Sequence, residues 1–154
     1  MPHVSMEYAI MVPVLLVQVI LIPMAAGWIV DVWAVRRQET ALRDVASHMG
    51  TTIQQLYFSL GSEQVGPGVS THSPELPPFI ESIPYVITAS DSKFGNSTII
   101  DLYLALMGTG TTATSKVIVG PDVVWQQSTF LSNATSPSIS VEKFPNGTLG
   151  FSFG

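Results

Sequence analysis

The chain has 154 residues, of which 46% are hydrophobic and only 11% charged, less than half the share of about 25% in ordinary soluble domains. Its net charge of −5 and lack of a basic stripe exclude a nucleic-acid partner, because nothing replaces phosphate counterions. With no cysteine, disulfides, thiolate metal sites and a cysteine nucleophile are excluded as well.

The first element is a helix over residues 1–60. Tyr8 to Val30 is an uncharged run of 23 residues, enough to cross a hydrocarbon core of about 30 Å at about 1.5 Å per residue. Glu7 stands at its edge, where it meets the partial positive charge of a helix N-terminus. Two roles remain open for this carboxylate: a first-turn residue in the membrane interface, or a group that pairs with a neighbouring subunit. Pro13 and Pro23 interrupt the run, each removing one backbone hydrogen bond. Membrane helices tolerate this where neighbours satisfy the freed carbonyl. Gln18, midway between them, is the one strongly polar side chain in the span. It can bond an adjacent helix or face lipid. Trp28 and Trp33 flank the end of the run, as interfacial aromatics do.

The apolar spacing does not stop at the membrane boundary. Val32, Val35, Leu42, Ala46, Met49, Ile53, Leu56 and Leu60 fall on three- and four-residue steps, interrupted by Glu39, and form an a/d seam. That seam can bundle with neighbouring helices or pack on the chain's own domain. Arg36, Arg37, Arg43 and Asp44 lie off it. A helix from Glu7 to Leu60 would be about 80 Å long, more than one bilayer holds.

Residues 61–78 read as a linker rich in Gly, Pro and Ser. Residues 79–154 carry short β-rich segments at 85–89, 98–107, 112–119, 123–130, 139–144 and 148–153, separated by turn residues. This predicts an antiparallel β-sandwich or barrel, and an α+β fold for the whole chain. Pro145-Asn146-Gly147 reads as a tight hairpin turn.

All three asparagines, Asn96, Asn133 and Asn146, begin N-x-S/T sequons, more than the Ser/Thr content alone produces. N-glycosylation and an extracellular β domain are expected. Positive-inside bias from Arg36, Arg37 and Arg43 would instead place that domain in the cytoplasm. A short basic leader, removed before the present start, resolves the conflict.

The run Glu7-Tyr8-Ala9-Ile10-Met11-Val12-Pro13-Val14-Leu15-Leu16 resembles the N-terminal signature of type IV pilin-superfamily proteins, in particular the TadE-like (tight-adherence) pilins. That pattern is Glu, aromatic, Ala, three apolar residues, Pro, apolar, Leu, Leu. Gln38, Ala41, Arg43 and Ala46 resemble its amphipathic continuation. In that family the Glu stands five residues into the mature chain and pairs with the N-terminal amine of a neighbour; here it is seventh from Met1.

The resemblance implies an extracellular filament, membrane-inserted before assembly, that serves surface adhesion. It implies a homopolymer, a pilus assembly platform and a leader peptidase as partners, and, with the sequons, N-linked glycans and an archaeal source. The expected assembly residues are Glu7, Pro13, Gln18, Pro23, Trp28, Val35, Leu42 and Met49. Two alternatives stay open: a minor pilin, or a single-span cell-surface binding protein that does not polymerise.

No catalytic constellation is evident, and neither an enzyme nor a cofactor is expected. His3, His48 and His72 share no ligand spacing. Gly108-Thr-Gly-Thr-Thr-Ala113 lacks the third glycine of a dinucleotide loop and precedes a β segment rather than a helix.

Overall fold

A computed structural model describes residues 3–154, with side chains from Tyr8 onward. One α-helix, α1, runs unbroken from His3 to Leu60 and contains both Pro13 and Pro23. At 58 residues its length is about 87 Å. The chain divides into two units within this helix, one through Arg37 and the other from Gln38 to Gly154.

In the first unit the helix is exposed from Tyr8 to Asp31, and of the residues beyond it only Val32 and Ala34 are half-buried. Large apolar side chains from Tyr8 to Val35 remain in the open, and the helix is long and apolar enough to cross a membrane. An apolar surface all round a helix requires lipid or other helices.

In the second unit, residues 38–60 of α1 join eight strands. They are β1 Gly68–His72, β2 Tyr85–Phe94, β3 Ser97–Leu106, β4 Thr112–Val119, β5 Val123–Trp125, β6 Thr129–Leu131, β7 Ile139–Lys143 and β8 Leu149–Phe153. They form two four-stranded sheets, ordered β1-β7-β8-β5 and β4-β3-β2-β6. The fold is α+β, with a long N-terminal helix followed by a mostly antiparallel two-sheet domain.

A single core serves the helix and both sheets. Leu42, Val45, Ala46, Met49 and Ile53 of α1 pack with Ile87, Leu102, Leu104, Val117, Phe130, Val141 and Phe151. Burial of each large apolar side chain contributes about 1.5–3 kcal/mol. Strand β3 shows the cause of its placement in its alternation: Thr98, Ile100, Leu102, Leu104 and Leu106 are buried, while the residues between them face outward. Gly50 lets the helix approach β4, since a Cβ there would lie 3.1 Å from a methyl of Val117.

Four features depart from the expected β domain. Strand β2 extends to Phe94 because its polar arm Ser90–Lys93 is held by backbone pairing with β3 rather than by burial. Strand β1 arises inside the segment read as a linker; it is a short exposed edge strand paired along five residues with β7. The segment expected as one strand over 123–130 is two strands in different sheets. At the bend the Ser128 hydroxyl donates to the Gln126 carbonyl at 2.8 Å and accepts the Phe153 N–H at 2.8 Å. Finally, β5 runs parallel to β8, which the long connection between them permits.

Candidate functional site

Two sets of residues stand out: the apolar surface of α1 in the first unit, and the turns of the β domain.

On α1, Pro13, Val14, Val17 and Gln18 line a shallow groove. Each proline lacks an N–H, so the carbonyls of Ala9 and Val19, four residues earlier, lose their helical donors. Gln18, exposed on the same stretch, offers amide donors that an adjacent helix can present to such a carbonyl. A second groove is lined by Trp28, Asp31, Val32 and Val35, with Arg36 at its edge. The first four have the i, i+3, i+4, i+7 spacing of the hole that receives a knob from a facing helix. Trp28 is 69% exposed and Val35 52% exposed. Pro23 lies within the same exposed helix. Glu7 belongs to α1, but its side chain lies outside the described residues.

Leu42 and Met49 are placed differently. Both are fully buried in the second unit's own core, so the seam expected to face neighbouring subunits packs there on the chain's own β domain. Their apolar spacing is the same in either case. Gln38, at the start of this unit, donates to Glu81 at 3.0 Å and accepts from the Thr111 hydroxyl at 3.4 Å.

All three sequon asparagines are exposed and lie in turns. Asn96 is the second residue of the two-residue loop joining β2 to β3. Gly95 precedes it with φ of 61°, the first-position conformation of a type II′ hairpin turn. Asn133 follows β6, one residue after buried Ser132. Asn146 sits in the β7–β8 hairpin, where Gly147 takes φ of 87° as expected for a tight turn. Register carries Asn96 and Asn133 to opposite ends of sheet β4-β3-β2-β6, since Phe94 pairs with Ser97 at one end and Val86 with Leu131 near the other.

The segment Gly108–Thr111 connects β3 to β4 as a turn, and the strand after it is paired with β3 along its length. Asp44, His48 and Glu75 border one groove, yet among the described residues no three His, Asp or Glu side chains are grouped to hold a metal. Sequence reasoning passed over Phe94 and Phe144, each standing two residues before a sequon asparagine, and Lys143, whose role needs the tertiary contact to be seen. The two phenylalanines were legible in the F-x-N-x-T spacing itself.

Across family models, curated proteins and solved structures, nothing matches the chain.

Proposed function

We propose that the chain is the structural subunit of an extracellular, type IV pilus-like filament for surface adhesion, polymerising through the first unit of α1 and carrying its β domain outside. The observation that carries this reading is the exposed apolar surface from Tyr8 to Val35. It runs past Asp31 to Trp33 and Val35, which are 68% and 52% exposed, and holds a groove with knob-receiving spacing that straddles the end of the uncharged run, from Trp28 to Val35.

In this mechanism the helix resides in the membrane before assembly. On entering the filament it exchanges lipid contacts for helix–helix packing, with Gln18 and the carbonyls freed by Pro13 and Pro23 as polar contacts between subunits. A heterologous contact that does not close gives an open helical polymer. Many neighbours per subunit then multiply weak pairwise affinities. N-glycans on Asn96, Asn133 and Asn146 supply the surface hydration that a domain poor in charge lacks.

A second reading is favoured by the length of the uncharged run: its 23 residues span about 34 Å, close to one hydrocarbon core. On that reading the protein is a single-span cell-surface binding protein, or a minor subunit absent from the filament wall. The test is electron cryomicroscopy of filaments sheared from the native cell surface. The filament reading expects Tyr8–Val35 in the wall, with extra density on the three asparagines. A wall built from other subunits, with this chain recovered as a detergent-soluble monomer, overturns it.

A further inference from the structure

We propose that Phe144 and Phe94 are carbohydrate-packing residues, each forming the platform for the first sugar of the N-glycan two residues further on. The inference rests on the glycan reading above and adds the surface that receives the sugar.

The Asn146 turn is the better defined. The Gly147 N–H donates to the Phe144 carbonyl at 2.9 Å, and the Phe144 N–H donates to the Thr148 carbonyl at 2.9 Å. With Gly147 at φ of 87°, this is a tight turn extended by a glycine bulge. Phe144 and Thr148 therefore close the hairpin opposite one another, with Asn146 between them at its tip. The Thr148 N–H donates to Asn146 Oδ1 at 3.1 Å. That bond engages Oδ1 and not Nδ2, the atom that carries a glycan, and the residue is exposed. Phe144 is half-buried. Its ring comes close to Gly150, where a Cβ would lie 3.0 Å from Cε2 and 3.5 Å from Cζ, so the glycine makes room for the ring. An open concavity lined by Phe144, Pro145, Asn146, Lys143 and Glu63 adjoins the turn and leaves room for a sugar beside it.

The same spacing recurs at Phe94-Gly95-Asn96-Ser97-Thr98. Phe94 is the last residue of β2 and pairs with Ser97 across the turn. It is 76% exposed, the highest value among the large apolar side chains described. It ends an arm of Ser, Asp, Ser and Lys that has no need of an aromatic for packing. An aromatic face is electron-rich, and the C–H groups on one face of a pyranose carry partial positive charge; stacking them removes apolar surface of both from water. At Asn133 the corresponding position is Leu131, which offers no ring and serves as the internal control.

The experiment is a cycle on the full chain in detergent, assembled by ligation with a single N-acetylhexosamine on Asn146 or with the bare residue. Each form is made with Phe144 and with Phe144→Ala, and the thermal midpoint of the β domain is read. The expected result is a rise of about 3 °C on adding the sugar beside Phe144, and no rise beside alanine. The same cycle at Asn96 with Phe94→Ala should show coupling, and a sugar on Asn133 should show none with Leu131→Ala. Equal sugar effects in both backgrounds at Asn146 and Asn96 overturn the pairing. Mass spectrometry of glycopeptides from native material tests the glycan reading separately. Bare asparagines there remove that reading and the use of the pairing with it, whereas occupied asparagines with no coupling overturn the pairing alone.

Discussion

The ammonium of Lys143, at the end of β7, donates to the carbonyl of Leu60, the last residue of α1, at 3.0 Å, and to that of Ser62 at 2.7 Å. The last turn of α1 contains no basic residue of its own, so a strand 83 residues away supplies the cation that the negative end of the helix dipole favours. Removing it leaves carbonyl acceptors at a partly buried helix end. Lys143→Met should lower the stability of the second unit by about 1–2 kcal/mol, read as a shift in denaturant midpoint. Because the contact lies wholly in the second unit, filament formation should persist below the new midpoint. Unchanged stability would show that water substitutes for Lys143 at no cost.

Val35 and Leu42 stand seven residues apart on one helix, yet one is 52% exposed and the other fully buried. Leu42→Ala should therefore cost about 2–5 kcal/mol through the cavity it leaves. Val35→Glu should alter the β domain's stability by no more than about 0.5 kcal/mol. On the filament reading, Val35→Glu also places a charge in the groove with Trp28 and Val32 and abolishes assembly. Denaturant midpoints of the detergent-solubilised monomer, beside sedimentation of filaments, separate the two effects. Normal filaments from Val35→Glu would remove the helix-packing mechanism.

That pair also shows what was legible in the sequence. Period and hydropathy identified the helix to its last residue, Leu60, and the strand over 112–119, because both are written in side-chain alternation. They did not say which partner covers each stretch of the seam, since an apolar a/d stripe reads identically against a neighbour's helix or a sheet of its own chain. Strand β1 and the Ser90–Lys93 arm escaped because backbone hydrogen bonds to β7 and β3 hold them while their own side chains stay largely exposed, which leaves no apolar trace. The break between β5 and β6 escaped because Gln126-Gln127-Ser128 carries no strong turn signal. Its bend is fixed by the Ser128 hydroxyl bonding the last strand, a tertiary event. The sequons were legible as motifs, but their common setting in exposed turns came from the fold.

A second close contact ties helix to sheet. A Cβ on Gly120, just past β4, would lie 2.0 Å from Tyr57 Oη and 2.9 Å from Cζ. Tyr57 packs against the core, so its ring has little room to yield. Gly120→Ala should destabilise the second unit by about 1–3 kcal/mol. In a Tyr57→Ala background the same substitution should cost about 1 kcal/mol less, because the obstructing ring is gone. A double-mutant cycle on chemical denaturation reads the coupling; strictly additive effects would show that the Tyr57 ring is not what opposes a Cβ at Gly120.

Tyr85 gives the second unit a dependence on alkaline pH. Its ring is fully buried, and its hydroxyl donates to the Pro77 carbonyl at 2.8 Å. Burial penalises the phenolate and pushes the pKa from 10.0 up to about 12. In the unfolded chain the phenol deprotonates near pH 10, whereas the folded chain keeps its proton for about two further units. Between these values the unfolded state binds fewer protons, so stability falls as pH rises. The contribution is therefore constant below pH 10 and is lost between about pH 10 and 12, a change on the order of 2 kcal/mol. Tyr85→Phe has no such proton to lose, but it leaves the Pro77 carbonyl without this donor. It should be less stable than the parent by about 1–2 kcal/mol at neutral pH. The two chains differ at residue 85 alone, so the difference between their pH profiles isolates Tyr85. Guanidinium midpoints measured from pH 8 to 12 should show a constant gap up to pH 10 that then closes as the parent loses its advantage. A gap that stays constant through pH 12 would mean that the buried phenol titrates no later than an exposed one.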